Sequence, residues 1–127
     1  MDTVEQTIRT YFDALNRSDV DGVVSLLTQD ALLLRDEADT VSGRDQIRAA
    51  FGEIFKAISL KREVSINQAQ EGRDTAVVVT HTTGTVTFLA NDTTIDAVAR
   101  ELVVLRRSAV GWLISAYVHN RPGGTAM

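Results

Sequence analysis

Cysteine is absent from this chain. Its absence removes disulfides, thiolate nucleophiles and cysteine metal sites, and it fits a cytoplasmic protein. Histidine is scarce, with only His81 and His119. No apolar run approaches the roughly 20 residues that span a bilayer. The segment Met1-Asp2-Thr3-Val4-Glu5 has no basic stretch leading into an apolar one. Neither a membrane partner nor a signal peptide is therefore expected. Positive charge is in deficit, with 13 basic against 17 acidic residues and a net charge of −4. A nucleic-acid binder ordinarily carries a basic stripe. Here the dense basic spots are Lys61-Arg62 and Arg106-Arg107, which read as solvated surface pairs. No nucleic-acid partner is expected. Glycine-rich phosphate loops, a Gly-x-Ser-x-Gly elbow, internal repeats and low-complexity tracts are missing too.

What remains is the make-up of one globular domain. A chain of 127 residues, 44% apolar and 24% charged, can bury a core without staples. We expect one domain over residues 1–121 and a flexible tail over 122–127, which holds the lone proline and Gly123-Gly124.

The first third reads as helical. Val4, Ile8, Tyr11, Phe12 and Leu15 recur at helical spacing, which predicts an amphipathic helix over about residues 3 to 16. Asn16-Arg17-Ser18-Asp19 breaks it with turn formers and an N-cap candidate. Val20, Val23, Val24 and Leu27 mark a short second helix, and Ala31 to Arg35 a short strand. Ser42-Gly43-Arg44-Asp45 has the Ser-x-x-Asp form of a helix start. Ile47, Phe51, Ile54, Phe55 and Ile58 follow on one face of a third helix.

After Ser59 the period changes. Glu63–Ala69, Thr75–Leu89, Thr93–Arg107 and Trp112–Asn120 are rich in Val, Thr and Ile and read as strands. The breaks between them are short, so successive strands should be antiparallel neighbours. Two strands are long enough that the sheet must twist and bend, with Gly84 a natural bulge or bend. Helices followed by a strand meander predict an α+β fold. A helix across the concave side of a bent sheet leaves a cone whose wide end suits a small molecule.

Tyr11-Phe12-Asp13-Ala14-Leu15-Asn16, Asp19-Val20-Asp21-Gly22 and Gly43-Arg44-Asp45-Gln46-Ile47, followed by four strands, resemble the superfamily of nuclear transport factor two, ketosteroid isomerase and SnoaL-like cyclases. The run Leu102-Val103-Val104-Leu105-Arg106-Arg107 through Gly111-Trp112-Leu113-Ile114 to His119-Asn120 resembles its SgcJ/EcaC branch, often encoded with secondary-metabolite genes. The resemblance covers about residues 3 to 121. It implies a cone-shaped, curved antiparallel sheet with three N-terminal helices, the cystatin-like or ketosteroid isomerase-like roll. That fold hosts many functions. Ketosteroid isomerases use an aspartate base with a tyrosine and a protonated aspartic acid as oxyanion donors. The tyrosine matches Tyr11. The base position falls at Arg35, and the neutral-acid position falls near Leu102, or at Glu101 if the register slips by one. With the base missing, steroid isomerisation by that route is not expected.

Tyr11 lies on the apolar face of the first helix, so its hydroxyl reaches either core or cavity. Arg35 cannot act as a base. It can bind an anionic oxygen or pair with a neighbouring acid. Asp36 and Glu37 follow it at the cone mouth, as general-base candidates or as solvated loop acids. By the resemblance, His81 shares the pocket-facing parity of Val77 and Val79, and His119 that of Leu113, Ser115 and Tyr117. Either histidine can serve as acid or base near neutral pH. Leu15, Leu33, Phe51, Phe55, Val79, Arg100, Leu102, Ser115 and Tyr117 are expected to line the pocket. Two histidines and Asp36 could in principle hold a metal, but they have no short ligand spacing, so neither metal nor cofactor is expected. Trp112, Ile114, Ala116 and Val118 form the other face of the last strand and suggest a homodimer through the sheet. The expected function is a cofactor-free acid–base enzyme, of isomerase, cyclase or hydratase type, on an apolar polyketide-like substrate. The alternative is a non-catalytic binding or assembly protein.

Overall fold

The computed structural model describes residues 3–121. The expected tail, 122–127, lies outside the described residues. Helix α1 spans Val4–Asn16. Thr3 caps it: its hydroxyl accepts from the Gln6 amide at 3.0 Å, and Gln6 Oε1 accepts from the Thr3 amide at 3.1 Å. Ile8, Tyr11, Phe12 and Leu15 are buried along one face. Helix α2, Val20–Val24, starts where Asp19 accepts from the Gly22 amide at 2.9 Å. Strands β1, Leu27–Leu34, and β2, Val41–Ser42, precede α3, Arg44–Ala57. The Ser-x-x-Asp start is not used here. Gly43, at φ +87°, is the N-cap, and it is Gln46 that accepts from the Ser42 amide.

Strands β3 (Ile58–Glu71), β4 (Thr75–Phe88), β5 (Thr93–Ser108) and β6 (Gly111–Asn120) complete a six-stranded sheet in the order β2-β1-β6-β5-β4-β3. The meander is antiparallel as expected, but β1 lies parallel to β6. The sheet is curved and does not close into a barrel. Helices α1 and α3 pack on its concave face. The core there is Ile8, Phe12, Val78, Val103, Leu105, Trp112 and Ile114. Thr7, also buried, donates to the Trp112 carbonyl at 3.0 Å, so its hydroxyl is satisfied inside that core.

One irregularity reorganises β6. Val104 pairs with Ala116 but Leu105 pairs with Ile114, so Ser115 is an extra residue. Such a bulge reverses the alternation of side chains beyond it. Trp112 and Ile114 therefore face the core, and so do Tyr117 and His119. The outward face expected for Trp112 and Ile114 is corrected by this bulge.

Gly84 sits opposite Arg62 in unbroken register, so it marks a close approach rather than a bulge. The β3 bulge falls instead at Asn67. Gly84 has φ +144°, and a Cβ there would lie 1.8 Å from the Lys61 carbonyl oxygen. Gly84→Ala should lower stability by about 2–4 kcal/mol. Gly52 in α3 has open space around it, so Gly52→Ala should raise stability by about 0.5–1 kcal/mol. Urea unfolding of the two variants checks the pair, and equal midpoints would contradict it.

Candidate functional site

The wide end of the cone holds a cavity of about 170 Å³ lined by residues of five elements. Helix α1 contributes Leu15, and α3 contributes Phe51 and Ile54. From the sheet come Leu33 of β1 with Arg35 just beyond that strand, Ile58, Leu60 and Arg62 of β3, and Tyr117 and His119 of β6. The parallel pairing sets Leu33 beside Tyr117. Two residues further on, Arg35 and His119 meet at the same rim. A wider groove of about 780 Å³ lies along the N-terminal half of α1. Its charged pair, Glu5 and Arg9, is mutually bonded at 2.9 Å.

Arg62 is held in place from the backbone. The Asn16 amide donates to the Arg62 carbonyl at 2.8 Å and accepts from the Arg62 N–H at 2.8 Å. The side chain of Arg62 donates to the Thr82 hydroxyl at 3.3 Å. Thr82 and Thr80 in turn donate to the two oxygens of Glu101, at 2.8 and 2.7 Å. Glu101 is 3% exposed. Burial pushes its carboxyl up from the ordinary range, while the two threonine hydroxyls, Arg62 and His81 pull the other way. His119 is lowered, first by burial and then by Arg62, with Arg121 and Arg35 in the same sense and Asp36 opposing. Its imidazole is thus held neutral at neutral pH. Burial raises the hydroxyls of Tyr11 and Tyr117, so both stay protonated. Arg35 Nε is buried with no hydrogen-bond partner.

The comparisons with known proteins fit this geometry. The model of the SnoaL-like domain family matches residues 8–111. The chain belongs to the SnoaL-like domain family. Among solved structures it is similar to a ketosteroid isomerase-like protein from Erwinia carotovora atroseptica SCRI1043, with a TM-score of 0.89, 27% identity and 94% of each chain covered. It is also similar to a Streptomyces avermitilis protein provisionally assigned as a dehydratase of the NTF2-like family, with a TM-score of 0.79, 14% identity and 93% of this chain and 92% of that one covered. A third is a Thiobacillus denitrificans protein provisionally assigned as a calcium/calmodulin-dependent protein kinase type II association domain, with a TM-score of 0.81, 16% identity and 95% and 96% covered. These last two show the fold alone. No curated protein matches the sequence. Among the described residues no helix is long and apolar enough to cross a membrane.

Of the expected site residues, this SnoaL-like domain brings Leu15, Leu33, Arg35, Phe51, Tyr117 and His119 together at the cavity. Tyr11 is buried below it, its ring 5.0 Å from that of Tyr117. Phe55 packs on Phe51 at 5.5 Å, and Ile54 takes its expected place in the lining. Asp36 is at the rim, where it accepts from the Arg121 amide at 2.8 Å. His81, Val79, Arg100 and Leu102 are corrected. On β4 the inward residues are Val78, Thr80 and Thr82, and on β5 they are Ala99, Glu101 and Val103. The expected parity of both strands was one residue out. His81 pairs across the outer face with Arg100, which donates to Asn120 at 2.7 Å. Ser115 is the bulged residue, and its hydroxyl donates to the Val104 carbonyl at 3.2 Å. Sequence reasoning missed Arg62, Ile58 and Leu60; the inward setting of Glu101 is the one-residue register alternative to Leu102. The alternation Leu60, Arg62, Val64 was the signal for Arg62.

A carboxyl whose folded pKa is raised gives stability below its unfolded pKa, and that stability is lost as pH rises through the folded value. Glu101→Gln removes this titration. The melting temperature of the variant minus that of wild type should therefore grow from about pH 4 to pH 8. A constant difference across that range would refute the buried-carboxyl account.

Proposed function

We propose that this protein is a cofactor-free acid–base enzyme of isomerase, cyclase or dehydratase type that acts on a small, largely apolar molecule. The observation that carries the proposal is a neutral His119 on the same cavity as Arg35, whose buried Nε has no hydrogen-bond partner, with Arg62 nearby and a wall otherwise made of Leu, Ile, Phe and Tyr. A neutral imidazole can take a proton from a carbon next to a carbonyl. The C–H electron pair then moves into an enolate, whose oxygen faces the Arg35 guanidinium. The imidazolium returns its proton to another carbon, which completes an isomerisation, or to a departing hydroxide, which leaves as water. Base and electrostatic partner both come from side chains. We place the chain in the SgcJ/EcaC branch and in secondary metabolism on the strength of the C-terminal motif, with a cytoplasmic setting. A cavity of about 170 Å³ lies below the roughly 300–1,000 Å³ usual for ligand pockets, so a polyketide-like substrate would insert one ring.

Isomerisation of 3-cyclohexenone to its conjugated isomer, followed by ultraviolet absorbance, serves as the probe reaction. His119→Gln should slow it by about 100-fold or more. The wild-type rate should hold as pH falls to about 6.5 and drop only below it, because the imidazole protonates late. An undiminished rate in His119→Gln would remove the histidine from the mechanism.

A second reading, an assembly protein, is favoured by the outer sheet face. Val77, Val98 and Leu102 there are 36%, 44% and 39% exposed, and Leu32 on β1 is 39% exposed. Apolar area of this kind suits a homodimer through the sheet. Leu102→Glu should halve the mass measured by light scattering. A wild-type monomer at all concentrations would end this reading.

A further inference from the structure

We propose that Arg35 and Arg62 together form a seat for a carboxylate, so that the ligand of this pocket is a small apolar carboxylic acid. The proposal rests on the pocket described above and names the class of molecule it takes. Two guanidinium groups on one small cavity call for counter-charge, and neither has an ion-pair partner among the described residues. Arg62 donates to the neutral Thr82 hydroxyl, and most other arginines have partners outside the cavity. Arg44 donates to the Leu27 carbonyl, Arg100 to Asn120 and Arg107 to the Arg73 carbonyl, while Arg106 pairs with Asp30 and Arg121 with Asp36. Arg35 Nε is the one buried side-chain nitrogen or oxygen among the described residues with no partner. A buried polar group of this kind is costly, and a charged one more so. Such a group is kept where it meets something the free protein lacks.

The nearest acid does not fill the role. Glu101 acts on Arg62 but forms no ion pair with it; its oxygens accept from Thr80 and Thr82, and it is not part of the cavity wall. Asp36 is engaged by Arg121, accepting from its backbone amide at 2.8 Å with the Arg121 Nε 3.5 Å away, and forms no ion pair with Arg35. The guanidinium fork matches the two oxygens of a carboxylate. Apart from Tyr117 and His119, the remaining wall, Leu15, Leu33, Phe51, Ile54, Ile58 and Leu60, offers only apolar contact. It therefore suits the hydrocarbon part of an organic acid better than a phosphate, which has no apolar part to bury. The volume, about 170 Å³, equals roughly six waters at about 30 Å³ each, which is room for one ring or a short chain.

Calorimetry with sodium benzoate, benzamide and inorganic phosphate tests the class. Benzoate should bind, and benzamide should bind at least 10-fold more weakly. Arg35→Met and Arg62→Met should each weaken benzoate at least 10-fold and leave benzamide unchanged. Arg35→Lys should recover part of the loss, which checks the charge in a variant close to the native side chain. Without ligand, Arg35→Met should melt no lower than wild type, because it removes a buried N–H that has no partner. Equal binding of benzoate and benzamide, wild-type benzoate affinity in both methionine variants, or phosphate binding as tight as benzoate would each overturn the proposal. His119→Gln separates it from the acid–base reading. Benzoate binding retained without any proton-transfer activity in the wild type refutes that reading alone. Isomerisation of a neutral ketone without benzoate binding refutes the carboxylate seat alone.

Discussion

A strand shows alternate residues to one face, and β6 has to serve both a dry core and a pocket from that same face. The extra residue Ser115 resolves the conflict. Below it Trp112 and Ile114 fill the narrow end of the cone, and beyond it Tyr117 and His119 turn back to the same side. Without the bulge one pair or the other would point away from the helices. The Ser115 hydroxyl, bonded to the Val104 carbonyl, satisfies part of the polarity the broken ladder exposes. The parallel β1–β6 pairing then carries the effect sideways, because Leu33 beside Tyr117 brings Arg35 next to His119.

The interior handles its polar groups in two ways. Toward the core they are satisfied: Thr7 on the Trp112 carbonyl, Thr80 and Thr82 on Glu101, Asn16 on the backbone of Arg62. At the cavity they are left open, with Arg35 unpartnered and His119 held neutral by burial and by Arg62. The first set rigidifies the wall that the second set needs, since a buried network with every member bonded has one arrangement. Asn16 is the clearest link, for it ties the end of α1 to the strand position from which Arg62 enters the cavity.

The SnoaL-like fold hosts many functions, so its presence does not choose a reaction. The residues do more. Where the isomerase template has its base, this chain has Arg35, a permanent cation. By the resemblance, the template's acid position falls near Leu102 or at Glu101; of the two, Glu101 faces inward, where it accepts from two threonines. Under the proposed function, Arg35 serves as an anion seat at that position, and proton transfer falls to His119 on another strand.

Element order, the buried face of α1 and the short connections were legible because helical and strand periods, turn formers and caps are local properties of the chain. So were Leu15, Leu33, Phe51, Tyr117 and His119 as residues of one pocket, once the family resemblance oriented the strands. Inward and outward faces of β4 and β5 were not. Both faces there carry Val and Thr with interspersed charge, so a period of two gives alternation without saying which side is dry. His81, Val79, Arg100 and Leu102 were therefore assigned to the wrong side, and Arg62 looked like half of a surface basic pair. By itself the sequence determined the α+β class and the chemistry available, down to two histidines and a small set of arginines. Only the tertiary structure decided which of them share a cavity. Side-chain direction along a sheet depends on register and bulges, and those are set by packing between strands far apart in the chain.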